Sequence, residues 1–246
     1  MIRNLVFFVL FSTFSGVTVA QSDLPSTEKR KGRPNIPGTF AIDLGFNMPS
    51  EKENFNTGIF GSRTLNLYYY YDYQIGNSKF SVHPGIGFGL ERYKFNNDRT
   101  LGYIAGSGSP FDTLRMVPVA DVIDNSTGVK KSGFITNYFD IPVEFRFSTN
   151  PDDPGRSFKV SLGFKAGILF DSYTKIKYSQ DGETKKIKNK QDFNLSRFRY
   201  GAMLRIGAGN VSVYGYYSLS PLFKSNEGPD GAEITNFTVG FTLAAF

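Results

Sequence analysis

NYFDIPVEFRFSTNPDDPGRSFKVSLGFKAGILF, residues 137–170, is the stretch whose reading decides the fold. In its first arm Phe139, Ile141, Val143, Phe145 and Phe147 alternate with Asp140, Pro142, Glu144, Arg146 and Ser148, the period of a strand with one apolar face. In its second arm Phe158, Val160, Leu162, Phe164, Ala166 and Ile168 alternate with Lys159, Ser161, Gly163, Lys165 and Gly167. The Asn-Pro-Asp-Asp-Pro-Gly run between them is turn chemistry, because proline presets φ while Asn, Asp and Gly tolerate a reversal. Each arm is long enough to cross a hydrocarbon layer, which takes about 9–11 tilted residues. The stretch therefore predicts a membrane hairpin with apolar residues toward lipid and charges toward a lumen.

Working outward, the chain has 246 residues, no Cys, no Trp, one His, 25 Phe and 14 Tyr. One barrel can use that whole length, so a single folded domain over residues 37–246 is expected. Residues 1–20, with Arg3, an apolar run and a small-residue end, read as a secretory signal peptide. Residues 21–36 are polar, carry Lys29, Arg30 and Lys31, and read as a flexible periplasmic segment. The apolar core of the leader is too short for a spanning helix, and no other run reaches the roughly 20 residues one needs. A net charge of +6 raises nucleic acid as a partner. The basic residues are scattered, with no recognition helix or stacking motif beside them, so no nucleic-acid role is read.

The same alternation continues on both sides of the opening hairpin. Strands are expected over residues 38–47, 63–75 and 79–93 before it, and 194–207, 211–222 and 234–246 after it. Tight turns fall at Gly76-Asn77 and Gly209-Asn210. The connections run long, short, long, short, long, short, long, which places every short turn at one end. That asymmetry is the habit of outer-membrane barrels, with short periplasmic turns and longer outer loops. The expected fold is all-β: an antiparallel transmembrane β-barrel, an up-and-down meander of eight strands, with periplasmic termini. Residues 95–133 form the longest connection, expected either to extend the strands or to fold into a cap. Residues 175–190, KIKYSQDGETKKIKNK, read as a lysine-rich loop.

NYFDIPVEFRF, GIGFGLERY and the last strand with its terminal Phe246 resemble the small outer-membrane β-barrel proteins of Bacteroidota, a group that includes PorT-like proteins. The resemblance covers essentially the whole mature chain. The terminal strand is similar to the signal read by the barrel-assembly machinery, which would then be a partner during biogenesis; the final Ala-Ala-Phe departs from strict alternation. A PorT-like identity would imply a place in type IX secretion or gliding.

The candidate site residues follow from the inward positions. Asp43, Asp72, Glu91, Asp140, Glu144 and Asp171 stand against Arg146, Lys159, Lys165, Arg197, Arg199 and Arg205. Isolated charges in a narrow lumen are costly, so a structural ion-pair network is expected. An eight-stranded interior is just wide enough to be filled by side chains, so a plugged lumen is expected over a narrow porin. Lys175, Lys177, Lys185, Lys186, Lys188 and Lys190 are candidates for contact with outer-leaflet lipid, lipopolysaccharide or acidic glycans, or simply a solvated loop. Tyr68, Tyr69, Tyr70, Tyr71, Tyr73, Tyr214, Tyr216 and Tyr217 read as interface girdles and lumen filling rather than as a sugar-binding platform. Pro84 and Pro142, on strands expected to be neighbours, suggest a weakened seam. His83 has no serine or carboxylate assignable by spacing, so no catalytic residue, metal site or cofactor is expected. The role read from the sequence is structural or interactive, with an envelope protein as a possible partner.

Overall fold

The computed structural model describes residues 38–104, 113–123, 127–180 and 182–245. The expectations for the leader, for the segment 21–36 and for Phe246 lie outside these residues. Twelve strands are present among the described residues: β1 (Thr39–Pro49), β2 (Arg63–Tyr70), β3 (Tyr73–Gln74), β4 (Phe80–Lys94), β5 (Arg99–Ile104), β6 (Thr113–Pro118), β7 (Thr127–Ser148), β8 (Phe158–Gln180), β9 (Glu183–Asn189), β10 (Phe198–Ala208), β11 (Val211–Ser218) and β12 (Asn236–Ala245).

Eight of them close the wall in the order β1-β2-β4-β7-β8-β10-β11-β12 and back to β1, every pairing antiparallel. No edge is left open within that wall, which removes the unpaired backbone a membrane would penalise. No described helix is long and apolar enough to cross a membrane. The two-residue β3 continues β2 after a break at Tyr71 and Asp72. The first short turn runs from Ile75, whose amide bonds the Phe80 carbonyl at 3.0 Å, and Gly76 there holds a φ of +56° that glycine adopts freely. The third needs only Gly209 and Asn210 between the paired Ala208 and Val211.

Pleat decides the faces. Phe40, Leu44, Ile86, Phe88, Ile141, Phe145, Leu162, Phe164, Leu204, Val213 and Phe241 point outward and are exposed on strands around the whole circumference. Their neighbours one residue away, such as Ala41, Asp43, Tyr68, Glu144, Lys165 and Arg205, are buried inside. Large inward side chains lie over glycines of the next strand: a Cβ at Gly85 would come within 2.8 Å of the Tyr70 ring, and one at Gly89 would collide with Arg199 and Asp140. The glycine row of β4 is thus room made for its neighbours.

One expectation is corrected at the long-loop end. β7 and β8 run on to 22 and 23 residues, far beyond the length needed to cross lipid, and β9 pairs with the far half of β8. The lysine-rich stretch is therefore sheet, a hairpin closing at Gly182 with φ +79°, not a loop. Within residues 95–133, β5 and β6 form a separate two-stranded sheet outside the wall, and β7 takes the remainder from Thr127 onward.

Candidate functional site

The lumen is the first candidate. β10 points Arg199 and Arg205 inward, one toward each half of the barrel, and the carboxylates of three other strands meet them. Arg199 donates through Nη1 to Glu91 Oε1 at 2.5 Å, and through Nε and Nη2 to both Asp140 oxygens at 3.0 and 2.6 Å. Tyr68 donates its hydroxyl to Asp140 at 2.7 Å, and Tyr93 donates to Glu91 at 2.7 Å. The guanidinium of Arg199 lies 3.7 Å from the centre of the Tyr138 ring, and the ammonium of Lys165 lies 3.7 Å over Tyr216 and 3.8 Å from Asp140. These contacts combine charge-assisted hydrogen bonds with cation–π attraction, the means by which a buried cation is held in low dielectric.

The second network lies nearer the short turns. Arg205 donates to Asp43 at 2.7 Å and to Glu144 at 3.0 Å, with Thr242 also accepting from it. Arg146 reaches Glu144 at 3.4 Å and Ser161 at 3.1 Å. At the rim, Lys159 donates to the Gly209 carbonyl at 3.1 Å.

Two of the expected members are elsewhere. A bulge at Asn137/Tyr138 sets Phe170 out of register, because Asn137 pairs with Asp171 while Tyr138 pairs with Leu169. Asp171 consequently shares the outward face with Asn137 and accepts from Lys190 at 2.8 Å instead of entering the lumen. Arg197 lies before β10, three residues after Asn194 turns the chain with φ +56°, and it is exposed in an outer recess shared with Leu169 and Lys190. Asp72 stays at the rim, partly exposed, and joins neither arginine network.

That rim holds an arrangement that spacing did not reveal. His83 Nδ1 lies 2.5 Å from Asp72, His83 Nε2 lies 2.7 Å from the Ser81 hydroxyl, and Thr39 donates to the other Asp72 oxygen at 2.8 Å. The serine and carboxylate that spacing could not assign to His83 are thus supplied by the fold. Ser81 and His83 share a face two residues apart, and the strand break after Tyr70 swings Asp72 back toward them. A cavity of about 140 Å³ opens beside them, lined also by Lys79, Arg146 and Lys159.

The long-loop end carries the feature that sequence reasoning missed. Phe55 from the first long connection, Phe95, Leu101, Leu114 and Met116 from the second, Phe193 and Leu195 from the third, and Leu222, Phe223 and Ile234 from the fourth converge on Tyr93 and Phe134. Phe55 is fully buried, with its ring centre 5.7 Å from Tyr93, 5.4 Å from Phe95 and 5.8 Å from Phe223. The signal was single aromatic residues set in otherwise polar loops, which carry no period and so escape a strand-based reading.

The lysines divide by face. Lys175 and Lys177 pair across the hairpin with Lys188 and Lys186, on the side that continues the lipid-facing row of β7 and β8. Lys185 is opposite Tyr178 and lies on the other face, donating to Gln180 at 3.1 Å. The Lys175 ammonium is held below the ordinary lysine range, first by desolvation and then by repulsion from Lys188 and Lys177. Lys190 is held above that range by its hydrogen bond to Asp171.

The family model described as outer membrane protein beta-barrel domain matches residues 9–224. Among solved structures, the attachment invasion locus protein Ail of Yersinia pestis aligns at 16% identity over 85% of this chain and 100% of its own, with a TM-score of 0.35. Ail in complex with the heparin analogue sucrose octasulfate aligns at 17% identity over the same shares, with a TM-score of 0.34. A mutant porin of Rh. blastica aligns at 10% identity over 85% of this chain and 99% of its own, with a TM-score of 0.20. No curated protein matches the chain.

Proposed function

The chain belongs to the outer membrane protein beta-barrel domain family, and from that premise we propose an integral outer-membrane barrel that does not conduct and that acts through its long-loop end. The observation that carries the membrane reading is the outward belt: Phe40, Ile86, Phe145, Phe164, Leu204 and Phe241 are all at least 45% exposed, on strands around the barrel. A soluble monomer rarely exposes a contiguous apolar patch above a few hundred Å². In this reading the short turns and the termini are periplasmic and the long loops are outside.

The closed-lumen part of the proposal is supported by two barriers in series. Asp43, Glu91, Asp140 and Glu144 are balanced by Arg146, Lys165, Arg199 and Arg205, all of them buried. Above them sits the apolar cluster drawn from the four long connections. An ion would have to break charge-assisted pairs and then cross a dry aromatic layer. Recording from the purified protein in planar bilayers tests this: the expected trace has no steady open level, and stable conductance steps would give the porin reading instead.

One observation favours a second reading. Ser81, His83 and Asp72 have the connectivity of an activated nucleophile, base and orienting acid. The proposal gives them a structural role at the rim, because the cavity beside Ser81 carries the charges of Asp72, Lys79, Arg146 and Lys159, which suit a polar contact better than an acyl chain. A fluorophosphonate probe on the folded protein is expected to leave Ser81 unlabelled; labelling lost in His83→Ala would make this an acyl hydrolase or transferase. The PorT-like resemblance, with its implied place in type IX secretion or gliding, rests on the quoted runs alone and is not needed for the function proposed.

A further inference from the structure

The outward face above the belt differs from the belt in one respect: it is cationic. On β2 and β4, Arg63 pairs directly with Arg92, and Lys94 follows on the same face. Across β7, Lys94 is opposite Gly133, which is opposite Lys175, which is opposite Lys188, a single row over four strands. One pleat farther out, Lys131, Lys177 and Lys186 form a second row over three strands. Between these rows and the belt lie Ile135 and Tyr173, paired across β7 and β8, and then the polar pair Asn137 and Asp171, beyond which the belt begins at Phe139 and Ile168.

None of these arginines and lysines is ion-paired among the described residues. The ion pairs outside the lumen join other groups: Arg115 with Asp230, Arg156 with Asp153, and Lys190 with Asp171. The one carboxylate placed on this face, Asp171 at its lower edge, is taken up by Lys190, so the eight cations Arg63, Arg92, Lys94, Lys131, Lys175, Lys177, Lys186 and Lys188 gather without a carboxylate partner among the described residues and draw counter-charge from outside. Successive rows are two residues apart, about 7 Å along a strand, and strands are about 4.8 Å apart. The patch is therefore about 20 Å wide and begins where the hydrocarbon band ends. Its geometry suits more than one phosphate per ligand, at headgroup depth.

We propose that this face is a binding site for phosphorylated glycolipid of the outer leaflet, with the acyl chains against Phe88, Phe139 and Phe170 and the phosphates on the cation rows. The site rests on the membrane reading above and adds to it a ligand class and a side of the barrel. The apolar belt that begins one pleat below Ile135 and Tyr173, past Asn137 and Asp171, selects a lipid over a soluble polyanion, because a free glycan would use only the upper rows. It also separates the lysines: Lys185, on the opposite face, takes no part.

The test uses the full folded protein in maltoside micelles, titrated with diphosphoryl lipid A, monophosphoryl lipid A and phosphatidylcholine, with bound lipid counted by native mass spectrometry. Diphosphoryl lipid A is expected to bind at least tenfold more tightly than phosphatidylcholine. The variant Lys175→Gln, Lys177→Gln, Lys186→Gln, Lys188→Gln is expected to lose most of that preference, while Lys185→Gln keeps it. Equal binding of all three lipids, an unchanged quadruple variant, or displacement of lipid A by an equimolar sulfated oligosaccharide would each overturn the site. Each preparation is also run on SDS gels with and without boiling. A heat-modifiable protein that binds no lipid A removes only this site, whereas one with a single mobility removes the barrel in lipid itself.

Discussion

Arg205 is bound on two sides, to Asp43 at 2.7 Å and to Glu144 at 3.0 Å, and both carboxylates are fully buried. Removing the arginine leaves two unmatched anions in a place that water reaches poorly. Arg205→Leu is expected to cost about 3–5 kcal/mol, the usual loss when one partner of a buried pair is deleted, measured by urea titration of refolding into lipid vesicles. A loss below about 1 kcal/mol would mean that the pairing does not hold this half of the lumen. Most of these residues were legible in the sequence because alternation alone puts Asp43, Glu144 and Arg205 on the inner face. Asp171 was not, since one extra residue at Phe170 reverses the face and no local signal marks it. Arg197 failed for a related reason: a pattern that could belong to a strand is broken by a left-handed Asn194 just before it.

At the scale of elements, Pro84 and Pro142 mark a gap in the wall. Pairing of β4 with β7 is continuous in register on both sides but is interrupted at Gly85 and Ile86 opposite Pro142 and Ile141. The wall on the other flank of β4 breaks nearby, where β2 ends at Tyr70 and β3 resumes at Tyr73. Proline lacks the donor a ladder needs, so two prolines within one register step weaken both flanks of β4. The seam expected from sequence is present as a gap in the ladder, without a bulge. Hydrogen exchange is expected to be faster at Gly85 and Ile86 than at the matched depth on β10, around Met203; equal protection would mean the gap is sealed by other bonds. The number of wall strands was legible for the same reason as the faces. The outer halves of β7 and β8 were not, because lysines and tyrosines in alternation look like solvent-exposed loop until a partner strand, here β9, is known.

At the scale of the whole molecule, three layers succeed one another along the barrel axis. The rim near the short turns is polar and partly open, around Asp72, His83 and Lys159. The middle is occupied by paired charges and tyrosines, and the far end by the aromatic cluster. Outside, an apolar belt gives way to the cation rows on the β2-β4-β7-β8-β9 side. The molecule is therefore asymmetric both along its axis and around it, and the second asymmetry gives it a preferred side to present to neighbours in a membrane plane.

The aromatic cluster also imposes an order in time. Phe55 comes from the first long connection and Phe223 and Ile234 from the last, so the layer is complete only when the beginning and the end of the chain have met. A barrel halted before its final hairpin would carry wet aromatic rings at the mouth of an unsealed wall. Closure of the wall by β1 and β12 and full burial of those rings therefore require one another, and a chain without its last hairpin is expected to expose them to a protease or a quality-control factor.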